Sequence, residues 1–257
     1  MTAPTSRGRF VWHQLNTSNA EAAKAFYAAV CAWGSETWQP DPSQPAYHMW
    51  KGSGAAHSGV MEMPPGSKDP AHWLGYISTP DVDATVATAK ARGGSLLFGP
   101  MDIPVVGRFA VMADPDGAMF APFKPSQEMP AQAPGVGDFG WFELGTRDID
   151  KALAFYGELF GWTKGDSMDM GPNGIYQFFN RDGAMMGGMY QVSDSGPMAM
   201  QPAWTHYVTV SDLGAAVGQV KANGGNVFVE TDIPGGRIAM CTDPQGAMFA
   251  LNWVAPA

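Results

Sequence analysis

The chain is poor in cysteine and in charged residues, and basic residues are the scarcer of the charged kinds. Its 257 residues include two cysteines, Cys31 and Cys241, at non-equivalent places that suggest no disulfide framework. Charged residues make up 15% of the chain, with 15 Lys and Arg against 24 Asp and Glu. The formal net charge of −9, without any Lys/Arg cluster, argues against a nucleic-acid partner.

Long hydrophobic runs are missing as well. No apolar segment approaches the roughly 20 residues that span a bilayer. The start of the chain carries an Arg pair without the apolar stretch of a secretory signal behind it. We therefore expect no membrane partner and a cytoplasmic location, where both thiols stay reduced. The 45% of hydrophobic residues indicates a chain that folds around an apolar core.

What the sequence does contain is one pattern written twice. "WHQLNTSNAEAAKAFY", which starts at Trp12, matches "WFELGTRDIDKALAFY", which starts at Trp141. The offset between Trp12 and Trp141, which we call the repeat spacing, also separates Asp114 from Asp243. Such a period predicts a tandem duplication, and a Pro- and Gly-rich stretch between the copies predicts a linker. The predicted parts are a first domain over 1–127, the linker over 128–138 and a second domain over 139–257.

Within each copy, a strand, a helix and several further strands follow one another twice. Ser18 and Glu21 have the spacing of a capping box at the start of the first helix, and Asp148 takes the cap role in the second copy. Gly93 is placed to end a helix. Asp-Pro-x-Gly predicts a type I turn in the last hairpin of each copy. We predict an α+β fold of four βαβββ units, arranged as two copies of a two-unit cup.

These motifs resemble the vicinal oxygen chelate superfamily of glyoxalases, bleomycin-resistance proteins and extradiol dioxygenases. The resemblance rests on "WFELGTRD…AFYGELFGW" and on "DIPVVGRFAVMADPDGAMFA", and it covers essentially the whole chain. The two blocks are similar to the tandem, glyoxalase-like branch, which has a mycobacterial culture-filtrate member. The resemblance implies that two βαβββ units curl their sheets into a ligand-binding cup. A duplicated chain would then hold two cups, and a monomer is favoured over a dimer.

Metal-dependent members of this superfamily carry a His or a carboxylate at four points of each cup. The motif spacing puts other residue types at most of these points in both copies. Only His57 is able to ligate a metal, and a shift by one residue adds His13 and His206 in different copies. The four pairs of positions are Trp12 and Trp141, Leu74 and Thr205, Ala121 and Ala250, and Ala56–His57 and Met185–Met186. We expect no cofactor, and a divalent metal is the alternative.

Other residues remain candidates for a small-molecule site. Glu143 and its counterpart Gln14 share strand faces with Trp141 and Trp12, and a carboxylate in an apolar cup is a candidate general base. The alternative for Glu143 is a carboxylate satisfied by backbone or solvent. The matched Trp and Tyr residues suit an aromatic ligand or a packed core, and the matched Arg residues suit an anion or an ion pair. The predicted ligand-binding residues are Trp12, Gln14, His57, Tyr76, Arg108, Trp141, Glu143, Tyr207 and Arg237.

Three functions are compatible with this sequence. The first is a protein that binds a small apolar or aromatic metabolite without a metal. The second is a metal-independent isomerase or lyase that uses Glu143 as its base. The third is a metal-dependent glyoxalase or dioxygenase with unusual ligands.

Overall fold

A computed structural model describes residues 7–39, 43, 46–127, 129, 133–195 and 200–255. Within these residues the order strand–helix–three strands occurs four times, as predicted. The first copy contains β1 (Phe10–Thr17), α1 (Ala20–Cys31), β2 (Gly34–Trp38), β3 (Tyr47–Lys51), β4 (Ala56–Glu62), β5 (His72–Ser78), α2 (Val82–Ala91), β6 (Ser95–Ile103), β7 (Gly107–Ala113) and β8 (Met119–Pro125). The second contains β9 (Phe139–Thr146), α3 (Ile149–Phe160), β10 (Thr163–Asp169), β11 (Ile175–Arg181), β12 (Ala184–Gln191), β13 (Ala203–Thr209), α4 (Leu213–Ala222), β14 (Asn226–Ile233), β15 (Gly236–Thr242) and β16 (Met248–Val254).

The strands form two eight-stranded sheets of identical topology. The strand order is β2-β3-β4-β1-β5-β8-β7-β6 in one sheet and β10-β11-β12-β9-β13-β16-β15-β14 in the other. In each βαβββ unit the first strand runs parallel to the last, as β1 does to β4, and hairpins join the remaining strands. The fold is therefore the predicted α+β tandem duplication.

The residues also fall into two compact units that do not follow the two copies. One unit draws its described residues from Met1–Val11, Gly75–Gln132 and Phe142–Trp204. The other draws them from Trp12–Leu74, Ala133–Trp141 and Thr205–Ala257. The domain boundaries at 127 and 139 stay predictions, and residues 128 and 130–132 of the predicted linker lie outside the described residues.

The helix ends follow the sequence signals with one correction. Helix α1 is capped by Asn19, whose side chain accepts a hydrogen bond from the Ala22 backbone N–H, so the predicted capping box at Ser18 is wrong by one residue. Asp148 caps α3 as predicted and accepts from the Lys151 N–H. Asn19 and Asp148 are separated by the repeat spacing, so the repeat itself marks Asn19 as the cap. Gly93, with φ of 91°, follows α2 in the left-handed conformation.

A buried chain of hydrogen bonds links three side chains in the core of the first unit. The Trp204 indole N–H donates to the Tyr156 hydroxyl at 2.9 Å, which donates to Asp114 Oδ2 at 3.0 Å. Asp114 Oδ1 accepts from the backbone N–H groups of Asp116 and Ala118 in the β7–β8 turn. Asp114 thus makes the turn, as predicted, and also anchors the last Tyr of the "AFY" motif.

The second unit repeats this chain with slightly different distances. The Trp73 N–H donates to the Tyr27 hydroxyl at 2.9 Å, and Tyr27 donates to Asp243 Oδ2 at 3.3 Å. Trp73 and Trp204 are therefore core residues on the helix side of their sheets. We call the opposite face of each sheet, away from the helices, the inner face.

Candidate functional site

On the inner face of the first copy, polar side chains of β1 form a neutral hydrogen-bond network. Tyr47, on β3, accepts a hydrogen bond from the Trp12 indole at 3.1 Å and donates to Gln14 Oε1 at 3.3 Å. The Gln14 amide donates to Asn16 Oδ1 at 2.9 Å, and the Asn16 amide lies 3.2 Å from His72 Nε2. Burial raises the pKa of Tyr47 to about 12, opposed by the hydrogen bond from Trp12. None of these contacts needs a charged side chain.

The equivalent place in the second copy holds a buried carboxylate. The side chain of Glu143, on β9, is 8% exposed, and its Oε2 accepts a hydrogen bond from the Tyr176 hydroxyl at 2.9 Å. Burial raises the pKa of Tyr190, and the negative charge of Glu143 raises it further. Tyr190 lies on the neighbouring strand β12, in register with Gly145, two residues from Glu143. Where the first copy has an amide network, the second copy has the carboxylate of Glu143 and the hydroxyls of Tyr176 and Tyr190.

Two glycines allow the tyrosines to reach this position. A side chain at Gly188 would overlap the Tyr176 ring, and a Cβ at Gly145 would lie 3.2 Å from the Tyr190 hydroxyl. Gly59 and Tyr47 stand in the same relation in the first copy. This arrangement was not predicted, although Tyr47 and Tyr176 recur at the repeat spacing, as do Gly59 and Gly188. Matched Tyr–Gly pairs on neighbouring strands were the signal that could have identified it.

A row of aromatic rings covers the inner face of β5 to β8 in the first unit. Tyr76 lies 5.7 Å from Phe109 and 6.0 Å from Phe123, measured between ring centroids. Phe98, on β6, extends the row from Phe109 at 6.0 Å and is 53% exposed. The row therefore runs from buried rings to one that solvent reaches. In the second copy the cross-strand pair Phe109–Phe123 is replaced by Ile238–Asn252.

Three of the four positions that the motif spacing assigns to metal ligands carry no His or carboxylate in either copy. The Trp12 indole is a hydrogen-bond donor engaged by Tyr47, and Leu74 and Ala121 offer no ligand atom. The second copy has Trp141, Thr205 and Ala250 at the same points. No group of three or more His, Cys, Asp or Glu side chains that could hold a metal ion occurs in the described part of the chain.

Histidines from different copies meet on the helix side of the second unit. The rings of His13 and His206 lie 5.1 Å apart, and His13 stacks on Phe139 at 3.9 Å. His57 packs against Phe139 at 5.5 Å, with Nε2 3.9 Å from Asp138. Burial, the nearby His206 and His57 lower the pKa of His13 well below its usual value, and burial lowers that of His206 to about 3. The sequence alone indicated no contact between His13 and His206, because they belong to different copies.

The predicted arginines are engaged in ion pairs at strand ends. Arg108 binds Asp83 through Nε at 2.8 Å and Nη2 at 3.0 Å, and Asp102 through Nη1 at 3.0 Å. Arg237 binds Asp232 at 3.0 Å and Glu230 at 2.9 Å. This geometry favours the ion-pair alternative for both residues, so we leave them out of the proposed site.

Trp141 and Tyr207 complete the set of predicted residues. Trp141 is half-buried on β9, and Tyr207 is buried on β13 opposite Ala250 of β16. These positions do not decide between ligand binding and core packing for either residue, and both assignments stay predictions.

No helix among the described residues has the length and apolarity needed to cross a membrane.

Comparisons with known proteins identify the family of this chain. The family model described as Glyoxalase/Bleomycin resistance protein/Dioxygenase superfamily matches residues 9–121 and 138–251. "Putative glyoxylase CFP32" of Mycobacterium bovis is 34% identical over 251 residues, which cover 95% of this chain and 94% of that protein. "Anthracycline biosynthesis protein DauV" of a Streptomyces species is 31% identical over 260 residues, covering 95% and 92%.

Solved structures share the fold at low sequence identity. The Mn(II)-bound glyoxalase of Novosphingobium aromaticivorans superimposes with a TM-score of 0.63 and 16% identity, covering 98% of this chain and 83% of that one. The 2,3-dioxygenase LapB of a Pseudomonas species gives a TM-score of 0.60 and 13% identity, covering 100% and 94%. The resemblance drawn from the motifs is confirmed, and the chain belongs to the glyoxalase, bleomycin-resistance protein and dioxygenase superfamily.

Proposed function

We propose that this chain binds small apolar or aromatic molecules on the inner faces of its sheets, with a degenerate metal site. The observation that carries the proposal is the aromatic row formed by Tyr76, Phe109, Phe123 and Phe98. Adjacent rings at these separations make an apolar wall that stacks with planar ligands. A relative named for anthracycline biosynthesis is consistent with a polycyclic aromatic ligand.

The exposed end of the row allows a test that spares the core. N-phenyl-1-naphthylamine, a neutral fluorophore, is titrated into the wild type and into the Phe98→Ser variant. We expect saturable binding that weakens about fivefold to tenfold in the variant, because a stacking partner is lost. Phe228→Ser is the matched control, since Phe228 is 45% exposed on β14 of the other sheet. Equal losses in both variants, or no saturable binding, would contradict the proposal.

A second candidate function is metal-independent proton transfer by Glu143. The contact between a buried carboxylate and the Tyr176 hydroxyl favours it, because such a pair holds a base and an acid side by side. A Glu143→Gln enzyme would keep its ligand and lose turnover of it. Undiminished turnover in that variant would remove Glu143 from the mechanism.

The remaining parts of the proposal concern partners and location. We propose a cytoplasmic monomer that acts on small molecules, without a nucleic-acid or membrane partner and without a cofactor. Its acidic composition and internal duplication support this view. Native mass spectrometry of protein purified without chelator tests the monomer and the metal together.

A further inference from the structure

Glu143 lies among three aromatic rings on the inner face of β9, β12 and β11. The strand register aligns Glu143 with Gly188 and Gly188 with Phe178, so these positions form one row across the three strands. The next row contains Gly145, Tyr190 and Tyr176 in the same order. Partners in register project from the same face of a sheet. Glu143 therefore shares its face with the rings of Phe178, Tyr176 and Tyr190.

The glycine positions fix how the rings surround the carboxylate. Gly188 lies between Glu143 and Phe178, and the Tyr176 ring covers it, so that the Tyr176 hydroxyl reaches Glu143 Oε2. Tyr176 and Phe178 contact each other edge to face, with centroids 5.3 Å apart. The Tyr190 hydroxyl lies above Gly145 and 3.8 Å from Met200 Sδ. The group is thus a carboxylate bordered by aromatic rings from β12 and β11, which lie on one side of β9.

This combination of groups matches one class of ligand. A carboxylate attracts an ammonium group by charge, and aromatic faces attract the same cation through their quadrupoles. The formal net charge of −9 draws cations towards the protein. We propose that the Glu143, Tyr176, Phe178 and Tyr190 cluster binds an organic ammonium group, the protonated amine of a small molecule. The inference rests on the proposed small-molecule function and assigns a ligand class to the second copy.

The first copy has the same backbone arrangement without these groups. Gln14 replaces Glu143 there. Gly59 is in register with both Gln14 and Met49, and Met49 replaces Phe178. Met61 replaces Tyr190 at the repeat spacing. An amide, two thioethers and a single phenol carry no formal charge. The amine site is therefore expected in the second copy alone.

The test compares an amine with a neutral molecule of the same shape. Binding of 2-phenylethylamine and of 2-phenylethanol is followed by ligand-observed NMR at pH 7, where the amine is protonated. We expect the wild type to prefer the amine, and Glu143→Gln to lose about tenfold or more of the amine affinity while the alcohol affinity changes little. Glu21→Gln removes one exposed carboxylate of α1, outside both inner faces, and as the charge-matched control it should leave the preference for the amine intact.

A second variant keeps the test meaningful if Glu143→Gln folds poorly. Phe178 is half-buried, and Phe178→Met copies Met49 of the first copy. Because the carboxylate remains, the loss of one ring should lower the amine affinity several-fold without abolishing the preference for the amine. Thermal unfolding of each variant checks that the fold is intact.

The outcomes separate this inference from the proposed function. Equal affinity of the wild type for amine and alcohol, or an unchanged amine affinity in a folded Glu143→Gln variant, overturns the amine site. Absence of amine binding while N-phenyl-1-naphthylamine still binds in a Phe98-dependent manner overturns the amine site alone. Loss of both kinds of binding overturns both proposals.

Discussion

The inner faces of the two copies share their framework and differ in their chemistry. Both copies place a Tyr ring over a Gly, Tyr47 over Gly59 and Tyr176 over Gly188. The Tyr hydroxyl donates to Gln14 in the first copy and to its counterpart Glu143 in the second. The first copy uses this hydroxyl in a neutral amide network, whereas the second gives it a carboxylate. The backbone thus fixes where a polar group lies, and the exchange of an amide for an acid changes the chemistry at that place.

The helix sides of the two units also differ, in the residue on which a matched Phe stacks. In the first unit Phe10 stacks on Phe142 at 4.0 Å, and in the second unit Phe139, the counterpart of Phe10, stacks on His13 at 3.9 Å. Phe139 therefore comes from the second copy, whose inner face holds Glu143, and it packs in a core that contains buried histidines. The buried histidines of this core come from both copies, His13 from the first and His206 from the second.

The largest effect is expected where the two units agree most closely. Tyr156→Phe removes the hydroxyl between Trp204 and Asp114, which leaves a buried carboxylate without one of its donors. We expect a loss of about 2 to 3 kcal/mol in the free energy of unfolding, measured by urea denaturation. Tyr27→Phe should cost less, because the Tyr27–Asp243 hydrogen bond is longer, at 3.3 Å. A larger loss in Tyr27→Phe would reverse this ranking of the two cores.

The buried histidines predict a pH dependence that belongs to the second unit. Burial lowers the pKa values of His13 and His206 below the ordinary 6.5, so both are neutral when folded, and the unfolded chain binds the extra protons. Neither group lowers the free energy of unfolding above pH 6.5. Below that pH the loss grows as the pH falls, and for His206 it continues down to about pH 3. Each should cost up to about 2 kcal/mol of unfolding free energy by pH 5.

The variant His13→Phe tests this explanation by copying Phe142 of the first unit. Urea denaturation between pH 7 and pH 5 should show a weaker fall in stability for the variant than for the wild type. An identical pH profile in both proteins would assign the acid sensitivity to other groups.

A smaller effect is expected when the first copy receives the acid of the second. Gln14→Glu removes the amide donor to Asn16 and places a carboxylate beside the Asn16 carbonyl oxygen. We expect a loss of about 1 kcal/mol in urea denaturation at pH 7, which shrinks as the pH is lowered and the new acid is protonated. Unchanged stability would indicate that both inner faces accommodate a carboxylate equally well.

The smallest effect is expected at the surface ion pairs. Arg108→Lys loses the bidentate contact with Asp83 and keeps the charge, in a place open to solvent. We expect no change in probe binding and no measurable change in the denaturation midpoint. Weaker binding of the aromatic probe by this variant would indicate that Arg108 takes part in ligand binding.

The repeat made most of the fold predictable, because its motifs are local. The cap at Asp148, the helix stop at Gly93 and the turns at Asp114 and Asp243 depend on a few adjacent residues. The spacing of Ser18 to Glu21 fits the capping motif, but the side chain of Asn19 is the one that accepts the hydrogen bond at the start of α1.

The site was less predictable, because it depends on register between strands. Glu143 could be singled out from strand alternation, but its partner Tyr176 lies 33 residues further along and reaches it only across Gly188. The meeting of His13 with His206 depends on pairing between copies, which periodicity within a copy does not reveal.

The Trp–Tyr–Asp chains have a consequence for the integrity of the polypeptide. In the first unit, Tyr156 comes from the second copy and Asp114 from the first, and the second unit joins Tyr27 to Asp243 in the same way. Each copy therefore completes its partner's interior, as complementary fragments do. If the chain is cleaved once between the copies, the two pieces should stay together through size-exclusion chromatography, and neither piece expressed alone should unfold cooperatively.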